Sequence, residues 1–177
     1  LGMSTVWEGV TKLLNNGTAI GIFNDDFKKI GQGRFLGIPI VIFIMAAVYI
    51  LLIVVLKYTK FGREAYAVGG NAKSAKYSGI NVSKVRFGIF TLAGLMAGIA
   101  GVCYAAIVGS GTVTAGADST MNAIAAVILG GASLSGGVAN IFGTLLGVLL
   151  LGTIDNGLAI LGVSSYWKLI VKWLILI

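Results

Sequence analysis

The chain has no histidine, one cysteine, one proline and six acidic residues among its 177. Each shortage removes a class of chemistry. Without histidine, the commonest metal ligand and general base is missing. Cys103 stands alone inside an apolar run, so neither a disulfide nor a cysteine-based metal cluster can form within one chain. No two carboxylates are spaced for acid–base work. Ser133 and Ser135 have no base nearby to activate a hydroxyl, and read as turn residues. No catalytic residue, no metal and no cofactor of its own is expected, which sets a membrane enzyme aside. A phosphate-binding Gly-x-x-x-x-Gly-Lys-Ser/Thr loop is also missing: GGNAKS, at 69–74, has the Lys-Ser pair without the glycine spacing.

Charge is equally scarce. Only 11% of residues are charged, where an ordinary soluble domain carries about 25%. Hydrophobic residues make up 57%, and mean hydropathy is +0.97. A water-facing surface needs more polar groups than this, whereas a bilayer accepts the balance directly. The 27 glycines suit close helix packing in lipid. A net charge of +7 would suggest nucleic acid in a soluble protein. Here the positives flank apolar spans and form no aromatic-basic face, so they read as topology signals, and no nucleic-acid partner is expected.

The pattern along the chain predicts an all-α, polytopic transmembrane helical bundle. Uncharged runs at 36–56, 87–109 and 138–154 are its clearest spans, with partial spans at 1–14 and 166–177. Pro39 is placed in the first turn of the first full span, where its missing N–H costs little. Residues 15–35 read as a polar loop with a short helix from Asp25. The ends look cut, because the last apolar segment stops short of the roughly 20 residues a span needs. Small-residue spacing at Gly94 and Gly98, and again at Gly143 and Gly147, marks candidate helix-packing faces; generic glycine richness produces the same spacing.

Residues 122–131, NAIAAVILGG, are apolar but too short to cross, and the turn ASLSGG follows at 132–137. A broken or re-entrant helix at membrane depth is tolerated where it is buried in protein or lines a cavity. Segment 119–137 is therefore a candidate pathway lining; a tight interfacial hairpin is the other reading. Asn122, Ser133, Ser135, Asn140 and Asn156 are the hydroxyl and amide candidates for a polar, uncharged solute, and each reads more readily as a helix cap or turn residue. Asp118 and Asp155 read as loop charges at span ends. Lys168 and Lys172, four apart, share a helix face at a membrane boundary.

Seven of the thirteen Lys and Arg fall within 57–86: Lys57, Lys60, Arg63, Lys73, Lys76, Lys84 and Arg86. Short basic loops stay cytoplasmic, which puts 57–86 inside and the loops at 15–35 and 110–121 on the other side. Within it, Asn71 suits a helix N-cap and Gly79 the residue that ends a helix in a left-handed conformation. Between them lies AKSAKYS, about two turns, with an apolar patch at Ala72, Ala75 and Ile80 and a polar face at Lys73 and Lys76. A helix this short needs something packed on it. It is either a basic topology loop on lipid headgroups or a docking helix for a cytoplasmic partner.

FGREAYAVGGNAKSAKYSGINVSKVR, AIAAVILGGASLSGG and NGLAILGVSSYWKLIVK together resemble the permease subunits of bacterial ATP-binding-cassette importers for ribose, xylose and galactose. LGMSTVWEGVTKLLNNGTAI and GQGRFLGIPI add to the likeness, which covers nearly the whole chain and corresponds to the C-terminal half of such a permease domain. The resemblance implies that Gly70, Asn71, Ala72, Ala75, Lys76, Gly79 and Ile80 form a cytoplasmic coupling helix that docks on a separate ATPase subunit, which binds the ATP and Mg. It also implies a second permease chain, a periplasmic or lipoprotein sugar-binding protein that largely sets substrate choice, and a place in the cytoplasmic (inner) membrane. Two stretches depart from the family: Thr120-Met121-Asn122 lacks its acidic residues, and Val138-Ala139-Asn140 lacks a nearby basic one. An ion-coupled secondary carrier or channel for a small polar solute is the alternative. It sits poorly with spans that carry no ionisable residue.

Overall fold

The structure is a computed structural model that describes every residue except Leu1, 114, 117–118, 165–166, 168–169 and 171–177. The expected last helix, with Lys168 and Lys172, and Asp118 lie outside the described residues. The chain divides into two compact units, residues 1–55 with 87–117 and residues 56–86 with 118–177. The helices α3 (Ile40–Tyr58) and α6 (Val82–Val108) contribute to both.

In the first unit, α1 (Gly2–Asn15) leads to a two-residue strand β1 (Ile20–Gly21), which pairs antiparallel with β4 (Ser110–Gly111). The expected short helix is α2 (Asp25–Gln32). The Asn24 side chain caps it by accepting from the backbone N–H groups of Asp26 and Phe27, and Asp25 and Asp26 offset the positive end of its dipole. Gly31 of α2 presses on the α6 backbone at Ala106, and Gln32 Nε2 donates to the Ile107 carbonyl at 3.1 Å. A hairpin of β2 (Arg34–Phe35) and β3 (Ile38–Pro39) takes the first residues expected to be membrane helix. Pro39 therefore stands in the strand just before α3 and not in its first turn. Its ring keeps it from donating to the ladder, and the next backbone N–H, at Ile40, bonds back to Gly33 at 3.0 Å.

Among the described residues, three helices are long and apolar enough to cross a membrane: α3, α6 and α8 (Ile141–Ile160), of 19, 27 and 20 residues. At 1.5 Å rise per residue they run about 28, 40 and 30 Å against a hydrocarbon core of about 30 Å. Their apolar side chains point outward, Phe43, Leu51, Phe90, Leu146 and Leu149 among them. Lipid is the solvent in which that exposure carries no cost.

The second unit holds α4 (Lys60–Gly70), α5 (Ala72–Tyr77), the start of α6, α7 (Ser119–Leu129) and α8. The helix α4 runs through a stretch read as polar loop. Thr59 caps it, its hydroxyl accepting from the Gly62 N–H at 3.3 Å. The eleven residues of α7 reach about 16 Å, too short to cross, so α7 is the expected broken helix. It folds back antiparallel on α8 with almost nothing between the two backbones. A Cβ at Gly130 would lie 2.5 Å from the Gly143 carbonyl, and one at Gly147 would overlap the Ala126 carbonyl oxygen. Ala125, Ala126 and Leu151 are the buried apolar cluster of this hairpin.

The helix α8 starts three residues later and ends six residues later than expected. Asn140 sets its start, its side chain accepting from the Gly143 N–H at 3.2 Å. Paired bonds from Gly162 N to the Ala159 carbonyl and from Val163 N to the Leu158 carbonyl close its end. Asp155 and Asn156, read as loop, are thus helical.

The same spacing that locks α7 to α8 makes a contrast testable. Gly147→Val in the full-length protein is expected to lower its thermal midpoint in detergent, by an overpacking cost of about 1–3 kcal/mol. Gly152→Ala, where nothing lies within 4 Å of the added methyl, is expected to leave it unchanged or raise it.

Candidate functional site

The basic stretch between α3 and α6 folds into a small module with its own core. Asn71 ends α4 and begins α5: its side chain accepts from the N–H groups of Lys73 and Ser74, both at 3.0 Å. Gly79, at φ +81°, ends α5. Its N–H bonds to the Lys76 carbonyl, and the N–H of Ile80 reaches back to Ala75 at 3.0 Å. Ile80 then packs beside Ala75, the apolar contact that accompanies this kind of helix stop. Both ends of a six-residue helix are thereby satisfied.

The apolar side of α5 faces its own chain. Ala75 is 5% exposed and forms a buried cluster with Val68 of α4 and Val85 of α6, with Ala65, Ala72, Ile80 and Val82 around it. What α5 offers outward is different. Tyr77 is 90% exposed. Lys73, Lys76 and Arg86 border a concave surface of about 670 Å³ with Gly79, Asn81 and Ser83. Of the residues assigned to coupling, Lys76 and Gly79 are exposed on this surface, and the partly buried Ala72 and Ile80 line it as well. Ala72, Ala75 and Ile80 hold α5 in place, and Asn71 caps it.

A second feature joins this module to the turn between α7 and α8. A Cβ on Gly136 would sit 2.5 Å from the Gly69 carbonyl oxygen, and one on Gly137 would sit 2.6 Å from the Gly70 Cα. The two backbones touch because neither chain has side chains there. Tyr66 Oη reaches the Ala139 carbonyl at 3.5 Å beside it. The turn itself is tied by Ser133 N to the Val138 carbonyl at 3.0 Å and by Ser135 N to the Ser133 hydroxyl at 3.2 Å. Sequence reasoning reached the turn at 132–137, with Ser133 and Ser135 in it, and Gly70, but not the contact between them. The missed signal was the recurrence of glycine pairs: Gly69-Gly70 at the end of α4, Gly130-Gly131 just after α7 and Gly136-Gly137 in the turn before α8.

The remaining candidates separate. Asn122 lines a cavity between α7 and α8, and Ser133 borders an apolar concavity on α7. Ser135 is part of the turn, Asn140 is committed to capping α8, and Asn156 is exposed on α8. Gly143 and Gly147 lie against α7, whereas among the described residues nothing comes within 4 Å of a Cβ at Gly94 or Gly98. No three His, Cys, Asp or Glu side chains converge to hold a metal among the described residues.

Comparison with known proteins agrees with this architecture. The family model for the branched-chain amino acid transport system / permease component matches residues 3–177. The ribose import permease protein of Bacillus subtilis (strain 168) is 45% identical over 180 residues, covering 100% of this chain and 56% of the relative. That of Escherichia coli (strain K12) is 42% identical over 181 residues with the same coverage. The xylose transport system permease protein of Haemophilus influenzae is 43% identical over 136 residues, 77% of this chain and 36% of the relative. The chain thus spans about half the length of the ribose permeases it matches. No solved structure matches it. With three helices fit to cross a bilayer and a family match over nearly its whole length, the chain is a multi-pass membrane protein that belongs to the branched-chain amino acid transport system / permease component family.

Proposed function

We propose that the chain is the C-terminal half of a permease domain in an ATP-binding-cassette importer that moves a monosaccharide of the ribose kind into the cell. The observation that carries this reading is α5: a doubly capped helix, mounted on a buried cluster and presenting Tyr77 and two lysines outward. A topology loop resting on headgroups has no need of such a mount. A docking helix does, because the force it receives must reach the membrane helices without being lost in local bending. The names of the relatives, ribose and xylose permeases, support the solute class.

In this reading residues 57–86 are cytoplasmic and the membrane is the inner membrane. A separate ATPase subunit binds ATP and Mg and receives α5 in a cleft, with Tyr77 as the buried aromatic anchor and Lys73 and Lys76 at the rim. Motion passes from α5 through α4 to the Gly69–Gly137 contact and so to the α7–α8 hairpin. A binding protein delivers sugar to the outer loops, and a second permease chain completes the pathway. The small-residue face of α6 at Gly94 and Gly98 is left for a helix from elsewhere in that assembly. Asn122 and Ser133 remain the pathway residues with surface to offer a solute.

Asp155 favours a second reading, an ion-coupled carrier, since the structure sets this ionisable residue inside α8. The two part on energy source. The full-length permease, reconstituted with its ATPase and binding protein, is expected to take up ribose only with ATP. Uptake by the permease alone, abolished by collapsing the proton gradient, would transfer the function to the carrier.

Three substitutions follow from the module. Tyr77→Ala, at an exposed position, is expected to weaken co-purification of the ATPase by about tenfold or more while the permease stays folded, as hot-spot truncations do. Gly79→Val is expected to break the stop of α5 and let the ATPase hydrolyse ATP without sugar uptake. Gly136→Ala, remote from the docking face, is expected to keep the ATPase bound and still lower uptake per ATP. Binding, hydrolysis and uptake measured on one preparation check all three, and full coupling in Gly79→Val would count against the docking role.

A further inference from the structure

Asp155 stands in the last turns of α8 and Ser119 at the start of α7. Together with Asn122 they border one cavity of about 340 Å³, floored by Ala126, Leu151 and Gly152. The volume lies within the roughly 300–1,000 Å³ of small-molecule sites. Its walls combine an apolar floor with a hydroxyl, an amide and a carboxylate brought together from two helices. The hairpin is antiparallel, so this cavity lies at the end opposite the Gly69–Gly137 contact. With residues 57–86 inside, the Gly69–Gly137 contact marks the inner end of the hairpin. The cavity therefore opens at the outer mouth of the hairpin.

We infer that Ser119, Asn122 and Asp155 form an entry site for a neutral, polyhydroxylated solute, with the Asp155 carboxylate accepting hydrogen bonds from solute hydroxyls. A carboxylate is the acceptor that hydroxyl-rich ligands reward most, because a hydrogen bond to a charged group contributes more than one between neutral groups. The amide of Asn122 both donates and accepts, so it can serve adjacent hydroxyls of a ring. The small residues Ala126 and Gly152 leave room for an apolar sugar face above Leu151. The cavity also gives a role to an ionisable residue in a membrane helix, where such residues are rare and functional. This inference rests on the proposed importer function and adds the site at which the permease itself inspects its cargo.

The test uses the full-length permease reconstituted with its ATPase and binding protein, and compares uptake of ribose with 2-deoxy-, 3-deoxy- and 5-deoxyribose. The binding protein is the same throughout, so a change in the ribose-to-deoxyribose ratio reports on the permease. Asp155→Asn is expected to narrow that ratio for at least one analogue by about tenfold, the cost of one charge-assisted bond. Ser119→Ala, at an exposed position that should fold normally, is expected to narrow it by less. Ratios unchanged in both variants, with the ATPase still co-purifying, would overturn the inference and leave the importer reading standing. Absence of any ATP-driven ribose uptake by the wild type would instead overturn the importer reading, and the entry site with it.

Discussion

Backbone held against backbone is the constraint on which this fold depends. Lipid is as apolar as leucine, so helices in a bilayer gain little by burying apolar surface against one another. What remains is close van der Waals contact, and that requires side chains to be missing. Gly130 against Gly143, Ala126 against Gly147, and Gly136 and Gly137 against Gly69 and Gly70 are three such contacts in one unit. The first two lock an eleven-residue helix, too short to span, onto one that does. The third fastens the turn of that hairpin to the basic module. In the other unit, Gly31 against Ala106 does the same for α2 and α6. A methyl group at Gly31, Gly69, Gly130, Gly136, Gly137, Gly143 or Gly147 must push backbone, which cannot step aside as a flexible side chain can.

That constraint gives the basic stretch its meaning. Its charges determine which side of the membrane it occupies, but its apolar residues determine that it is stiff. Val68, Ala75 and Val85 come from three successive helices, and the caps at Asn71 and Gly79 leave no frayed turn between them. A force on Tyr77 or Lys76 thus meets a braced helix. The path onward runs from α5 to α4 and then, through the Gly69–Gly137 backbone contact and the Tyr66–Ala139 bond beside it, to the hairpin turn. At the other end of the hairpin, Ser119, Asn122 and Asp155 offer polar groups in an otherwise apolar wall. In the proposed importer, this hairpin connects the driven end to the solute-facing end.

Much of this was legible in the residues. Long uncharged runs gave α3 and α6 closely, and Asn71 and Gly79 marked the ends of α5, because caps and helix stops are local chemistry. The family was legible too, in three long ordered stretches. The helix α4 was not, since KFGREAYAVGG carries charges and three glycines, and its inward positions, the buried Val68 and the partly buried Ala65, gain sense only from α5 and α6. The end of α8 was misplaced because Asp155 and Asn156 look like loop, while the bonds that stop the helix lie at 161–163. Spacing alone also could not separate Gly143 and Gly147, which meet α7, from Gly94 and Gly98, which meet nothing among the described residues. Asn140, readable as a cap or as pathway, is a cap; the cavity residue that reading passed over is Asp155.

The central claim is that the coupling module and the α7–α8 hairpin move as one body. The most direct measurement is a pulsed electron–electron distance between spin labels at Lys73→Cys and Ser135→Cys, in a Cys103→Ser background of the full-length permease bound to its ATPase. The distance distribution is expected to stay narrow and unchanged between the nucleotide-free and ATP-trapped complexes. A distance that shifts or broadens on ATP binding would mean that the Gly69–Gly137 contact opens, and that the force on α5 reaches the membrane by another route.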